Sequence, residues 1–249
     1  VQIRCKNNKK NQKVANGSTL SDIFSSFNLK MEHGPVSAKV NNKVEGMHYR
    51  VYNNKDIEFL DMRTSSGSRA YTRTLFFVLC KAVQDLYPGH DVVIDIPVSN
   101  GFYVDVRLER DVTADDVDCI RKRMQEIVDA RMPIRRYMVP TEDAIALFEE
   151  KGDVEKVKLL RTSGSLYTAY YKIGEYVDFY YGTLLTNTSQ LYLLGLEKYY
   201  DGMLLRIPSI KNPDELGEVT RQDKMFEIFK EHHHWQDIIG IRTVGDFNA

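Results

Sequence analysis

The chain has 249 residues, 43% of them hydrophobic and 28% charged, which excludes wholesale disorder and suits one or two packed domains. Its formal charge of −1 excludes a generally basic nucleic-acid binder and leaves only local patches open. The longest uninterrupted apolar run, Leu75 to Cys80, is far shorter than the ~20 residues that span a bilayer, and no signal-like segment opens the chain.

The first residues read as a small strand-rich unit. Val1 to Cys5 alternates at period two, and a basic turn over Lys9-Lys10-Asn11-Gln12 leads to a short strand at Lys13 to Ala15. Ser18 or Thr19 is placed to cap a helix from Leu20 to Phe27, with Leu20, Ile23, Phe24 and Phe27 on one face. Strands are expected at Val36 to Val40 and Ile57 to Asp61, with turns at Asn41-Asn42 and Asn53-Asn54. Residues 1–62 hold ten Lys or Arg against six Asp or Glu, a mild basic bias.

The polar stretch Thr64 to Ser68 is expected to be a linker. Arg69 to Leu86 then reads as a core helix, apolar nearly all round, ended by Pro88-Gly89. Strands follow at Val92 to Ile96 and Phe102 to Leu108, and Thr113 caps a helix from Ala114 to Ala130. A strand at Pro133 to Val139 precedes a helix from Pro140-Thr141 that Gly152 closes. Residues 166–207 are strand-like and carry nine of the fifteen tyrosines, and Arg221 to Gly240 reads as a helix. The expected class is α+β.

Chemistry is narrowed by what is missing. None of the fifteen glycines precedes a lysine, so the chain lacks a P-loop, and it also lacks GxSxG, HExxH and GxGxxG. Cys5, Cys80 and Cys119 are odd in number and without a CxxC pair, which fits a reducing cytoplasm better than a disulfide framework. His33, His48 and His90 sit beside turn residues and are expected to be solvated loop histidines. Consecutive residues on a helix point about 100° apart, so His232-His233-His234 is expected on a surface, not around one metal ion. Three adjacent tyrosine pairs, at 170–171, 180–181 and 199–200, favour a sheet with one ring in and one out over a base-stacking platform.

Between Arg69 and Pro208 the order Leu86-Tyr87-Pro88, Pro97-Val-Ser-Asn-Gly-Phe-Tyr-Val-Asp-Val106, Glu175-Tyr-Val-Asp178 and Met203-Leu-Leu-Arg-Ile207 resembles the editing-type second domain of threonyl-tRNA synthetases. The segment before it resembles the small β-grasp-like TGS domain that precedes that domain there. The resemblance implies a TGS-like unit over 1–63, a synthetase-like domain over 68–210 and a helical linker over 211–249. In that family the editing site uses His-x3-His on the long helix and Cys-x3-His after the Glu-Tyr-Val-Asp strand. Residues i and i+4 share a helical face, so two imidazoles there converge on one ion or ester.

Carried over by position, the four places fall on Arg73, Phe77, Tyr180 and Leu184. Arginine is a fixed cation, phenylalanine and leucine have no donor atom, and a tyrosine phenol titrates near 10. Metal binding and ester hydrolysis at this site are therefore not expected. No catalytic residue, metal or cofactor is assigned to the chain itself.

The same pairing of units also resembles the N-terminal half of bacterial uridine-kinase-like proteins. That resemblance implies a non-catalytic positioning or regulatory module, partnered by a kinase domain of the same polypeptide that uses ATP and Mg²⁺. The start at Val1 and the stop at Ala249 are read as the limits of an excised piece. The alternative is a tRNA-related module, either an editing deacylase or an RNA-binding synthetase paralogue.

Arg73, Asn100, Tyr103 and Asp178 are the candidates for a remaining ligand cleft, with a small ligand or nucleotide as its occupant. Arg73 suits a carboxylate or phosphate. Alternatively it pairs with Asp178, or Asn100 is only turn chemistry and Tyr103 only packing.

Overall fold

The computed structural model describes residues 1–224, 226–228, 231, 235 and 238, and of Asp95 and Ile96 the backbone only. The chain packs as two units. The first comprises Val1–Arg135, Ile173–Tyr176 and Tyr180–Val219, and the second comprises Arg136–Lys172, Val177–Phe179 and the described residues from Thr220 onward. The class is α+β, as expected. No helix among the described residues is long and apolar enough to cross a membrane.

The first unit opens with β1 (Gln2–Cys5), β2 (Lys10–Lys13), β3 (Ser18–Thr19), α1 (Leu20–Ser26), β4 (Ser37–Val40), β5 (Lys43–Gly46), β6 (Arg50–Val51) and β7 (Lys55–Leu60). Five of these strands form one sheet in the order β2-β1-β7-β4-β5, in which β1 and β7 run parallel and the other neighbours antiparallel. Alternation places Ile3 and Cys5 of β1 with Ala38, Val40, Ile57 and Phe59 on one buried face. Helix α1 covers that face with Leu20 and Ile23, and Phe24 meets Phe59 edge-on at 5.1 Å. Thr19 starts α1 through a capping box. Its Oγ1 accepts from Asp22 N at 3.1 Å, and its own N–H donates to Asp22 Oδ2 at 3.0 Å.

Two local expectations are corrected in this region. Strand β2 is Lys10–Lys13 rather than Lys13 to Ala15, because pairing with β1 runs from Gln2 opposite Lys13 to Cys5 opposite Lys10. Thr64 to Ser68 is not a linker. It begins the long helix α2 (Ser65–Leu86), whose N-cap Thr64 accepts from Gly67 N at 3.1 Å. Capping chemistry outweighs the weak helix propensity of Ser-Ser-Gly-Ser.

After α2 come β8 (Val92–Val98), β9 (Gly101–Val106) and α3 (Ala114–Asp129). Ser99 and Asn100 make the β8–β9 turn with φ of 50° and 57°, the two positive values that a type I′ hairpin needs. Helix α3 starts from the expected cap, Thr113, in a dense knot around Asp116. Asp116 accepts from Thr113 N at 2.8 Å, from Tyr87 Oη at 2.7 Å, and bidentately from Arg110 at 2.6 and 2.8 Å. The Arg110 guanidinium holds the Asp116 carboxyl well below the usual carboxylate range. Burial and the same carboxylate push Tyr87 up to about 12.

A carboxyl with a depressed native pKa contributes stability above its unfolded value near 4 and loses it as the pH falls toward the native value. Asp116→Ala is therefore expected to cost about 2 kcal/mol at pH 7, since it strands the Tyr87 hydroxyl and the Thr113 amide. Urea denaturation at pH 7 and pH 3 checks this, and the gap between the two proteins should narrow at the lower pH.

The second unit holds β10 (Arg135–Pro140), α4 (Thr141–Glu150), α5 (Val154–Thr162), β11 (Tyr167–Ile173) and β12 (Tyr176–Phe179), the strands lying in the order β10-β11-β12. Ala144, Ile145, Phe148, Val157 and Leu160 form its core. Helix α5 has no counterpart among the expected elements. Gly152, at φ +73°, turns the chain out of α4, and Asp153 caps α5 by accepting from Lys156 N at 3.1 Å.

The first unit is completed by β13 (Gly195–Tyr199) and β14 (Gly202–Arg206) in an antiparallel sheet ordered β13-β14-β9-β8. Tyr171 is buried and Tyr170 only partly covered, as one ring in and one out requires. The other two pairs depart from that expectation: Tyr200 turns at φ +48° so that its ring meets Tyr199 edge-on at 4.6 Å, and Tyr180 and Tyr181 follow β12 outside any strand. The helix expected at Arg221 to Gly240 lies largely outside the described residues.

Candidate functional site

The four positions that the resemblance singles out are Arg73, Phe77, Tyr180 and Leu184, and all lie in the first unit. Helix α2 presents Tyr71, Thr74 and Phe77 at three-residue spacing, one stripe of its surface. That stripe holds the segment 180–193 in place. Thr74 Oγ1 accepts from Leu185 N at 3.0 Å and donates to Ala70 O at 2.8 Å. Tyr71 Oη donates to Leu193 O at 2.7 Å and accepts from Leu193 N at 3.0 Å. Tyr71, Thr74, Phe77, Leu184 and Leu185 are all fully buried.

Burial raises the Tyr71 phenol well above its ordinary value, so it stays a neutral clamp at any physiological pH. Tyr71→Phe removes that clamp and leaves the N–H and C=O of half-buried Leu193 without the Tyr71 hydroxyl. We expect a loss of about 2 kcal/mol in equilibrium denaturation, larger than the volume change alone implies.

Phe77 meets Tyr180 edge-on at 5.8 Å and 81°, and Tyr176 at 5.3 Å. Where two metal-binding imidazoles would sit on the helix, there is an aromatic cluster and one cation. Arg73 lies directly over Gly182: a Cβ built on that glycine would stand 2.7 Å from the guanidinium carbon and from Nη1. A side chain there would push the guanidinium aside, and the φ of +128° is the backbone conformation that favours glycine. The guanidinium thus lies against the backbone at Gly182, and Arg73 as a whole is half-buried.

The four expected cleft residues are distributed as follows. Asn100 is exposed in its turn, with Nδ2 donating to Glu218 O at 3.4 Å. Tyr103, on β9, donates from its hydroxyl to Asp201 Oδ1 at 3.0 Å. Arg73 is the residue packed on Gly182. Asp178 belongs to the second unit, where it is buried and accepts from Lys156 Nζ at 2.9 Å and from Phe179 N at 2.6 Å. Burial alone would lower the Lys156 ammonium, yet Asp178 and Asp153 together hold it above its ordinary value.

Two histidines differ from expectation. His33 is not solvated: it is 6% exposed, packed at 5.1 Å on the ring of Tyr192. His48 is half-buried and its Nε2 lies 2.6 Å from Ile134 O, so that nitrogen carries the proton. Both sit in turns that sequence reads as exposed, and both are covered by residues far along the chain. Among the described residues, one group of His, Cys, Asp or Glu has metal-ligand geometry: Glu32, His33 and Asp214.

Comparison with known proteins shows what the chain is similar to: over most of its length it is alike to threonine–tRNA ligases. No protein-family model matches the chain. The threonine–tRNA ligase of Syntrophotalea carbinolica is 31% identical over 229 residues, 87% of the chain and 36% of that ligase. Those of Marinobacter nauticus and Acetivibrio thermocellus are each 28% identical over 181 and 176 residues, 72% and 70% of the chain. The chain spans between 28% and 36% of the length of these relatives.

The expectation of a uridine-kinase-type module is overturned by these matches, which are to threonine–tRNA ligases. Its error has a physical source. Loss of the four donors reports that chemistry has gone from one site, and it says nothing about which domain lies beyond the chain. The expected kinase-domain partner, ATP and Mg²⁺ rested on that reading.

Proposed function

We propose that this chain is the N-terminal, editing-type region of a threonyl-tRNA-synthetase-like protein, in which the hydrolytic site has become core and tRNA recognition remains. Its first sheet is a β-grasp-like TGS module. A match covering 87% of the chain must take in part of that sheet, and the parallel β1–β7 pair packed under α1 suits the assignment. The chain acts in the cytoplasm on tRNA as a binding module without catalysis of its own.

One observation carries the reading. A chain alike to threonine–tRNA ligases over most of its length has Phe77 and Leu184 fully buried at two of the four positions that the family resemblance singles out. Neither side chain offers a lone pair to a metal ion or a proton site to a water. Arg73 is a fixed cation and cannot act as a base.

Binding of a threonine-acceptor tRNA transcript, followed by filter retention across a salt series, tests this. Affinity is expected to fall steeply as salt rises, because neutralised phosphates release counterions. Replacing Lys9, Lys10 and Lys13 by alanine is expected to flatten the salt slope. Lys10 and Lys13 lie on the outer strand of the first sheet, so they also guard a sheet edge. If the variant keeps the full salt slope, they serve the edge alone. Absence of tRNA affinity at low salt would remove the proposal.

A further inference from the structure

The geometry points to a binding site for one first-row divalent transition ion, of the Zn²⁺ type, formed by Glu32, His33 and Asp214 in the first unit. His33 is 94% buried by side-chain and backbone together, and its Nε2 has no hydrogen-bond partner. A buried imidazole nitrogen left unpaired is costly and uncommon, so it asks for a ligand. That nitrogen faces two carboxylates: Asp214 Oδ1 at 3.6 Å and Glu32 Oε2 at 3.9 Å. The three donor atoms all lie within 4.8 Å of one another.

Those separations suit an ion. Metal–nitrogen and metal–oxygen bonds of about 2.1 Å place neighbouring donors about 3.0–3.4 Å apart. Closing the triad therefore needs each carboxylate to move inward by about half an ångström. Both can, since the Glu32 and Asp214 side chains are 68% and 73% exposed while the imidazole is fixed. Imidazole with carboxylates selects a transition ion over Mg²⁺ or Ca²⁺, which prefer all-oxygen sets.

The surroundings hold the donors in place. Tyr192 packs on the His33 ring and donates from its hydroxyl to Pro213 O at 2.9 Å, fixing the residue before Asp214. Arg63 donates to Glu32 Oε2 at 2.8 Å, orienting that carboxylate as outer partners of metal ligands do, while also competing for its charge. Glu32 and His33 precede β4, and Asp214 follows β14. A bound ion would staple the segment after β14 to the loop that leads into the first sheet.

The test uses the whole chain with His232, His233 and His234 replaced by alanine, so that the histidine run cannot bind metal. Titration with Co²⁺, read by its ligand-field absorption, and with Zn²⁺, read by calorimetry, should give one ion per chain. Zn²⁺ should also raise the melting temperature. Asp214→Asn and Glu32→Gln, both at exposed positions, should each weaken binding by about tenfold or more, and His33→Gln should abolish it. Excess Mg²⁺ should not displace Zn²⁺. Unchanged affinity in Asp214→Asn and Glu32→Gln, or no saturable binding in the parent, would overturn the site. The histidine resonance of His33 should shift on Zn²⁺ addition, and an unmoved resonance would also count against it. None of these readouts depends on tRNA binding.

Discussion

Phe77→Ala is expected to cost about 3–5 kcal/mol of stability, the range for removing a fully buried aromatic ring. The ring sits on α2 between Tyr176 and Tyr180, so its loss opens a cavity in the packing that joins α2 to the segment after β12. Leu184→Ala, at an equally buried position, should cost about 2–5 kcal/mol. Phe77→His is the informative partner. In a wet ligand cleft a histidine would be accommodated, whereas in this dry core it buries a polar ring without partners and should also destabilise strongly. Denaturant unfolding of the three variants measures all of this. A Phe77→His protein as stable as the parent would show the position to be a cleft.

Gly67→Ala is the second large effect, expected to cost about 3 kcal/mol. A Cβ at this position would lie 1.9 Å from Asp61 O and 2.6 Å from a Val36 methyl, so the first turn of α2 must move away from the end of the first sheet. Alanine in place of glycine would gain about 1 kcal/mol in helix propensity. Overpacking against backbone costs about 1–3 kcal/mol and at times more. A 1.9 Å approach to a carbonyl oxygen belongs at the upper end, so the clash wins. Thermal melting decides the sign: a raised melting temperature would mean that propensity dominates and the approach is loose.

The legible parts of this fold were local. Thr113 could be named as a cap and the first cap narrowed to Ser18 or Thr19 from residue type and position alone, and the structure resolves the choice to Thr19 and completes both as capping boxes with Asp22 and Asp116. A turn at Asn100 and a buried core helix after Arg69 were readable for the same reason, since both depend on residues close in sequence, although the turn residues are Ser99 and Asn100 and the helix starts at Ser65. Helix α5 was not, being nine residues long and opened by an Asp-Val pair after a glycine turn.

His33 was misread because its turn context signals solvent, while the groups that bury it and face it, Tyr192 and Asp214, lie more than 150 residues away. For the site, sequence supplied the four positions only through the family resemblance. That Phe77 and Tyr180 touch, and that Arg73 rests on Gly182, are facts of packing that spacing does not encode. Asp178 illustrates the converse. Its motif drew attention to a pocket, and the structure pairs it with Lys156 of α5, an element the sequence did not announce.

Hydrolysis of a mischarged tRNA by the purified chain tests the central claim most directly. With Phe77 and Leu184 in the core and Arg73 a permanent cation, the ester should decay in the presence of the chain at its rate in buffer alone, even where the tRNA is bound. Accelerated deacylation that disappears when Arg73 or Tyr180 is replaced would contradict the account, because it would place working chemistry where we find packing.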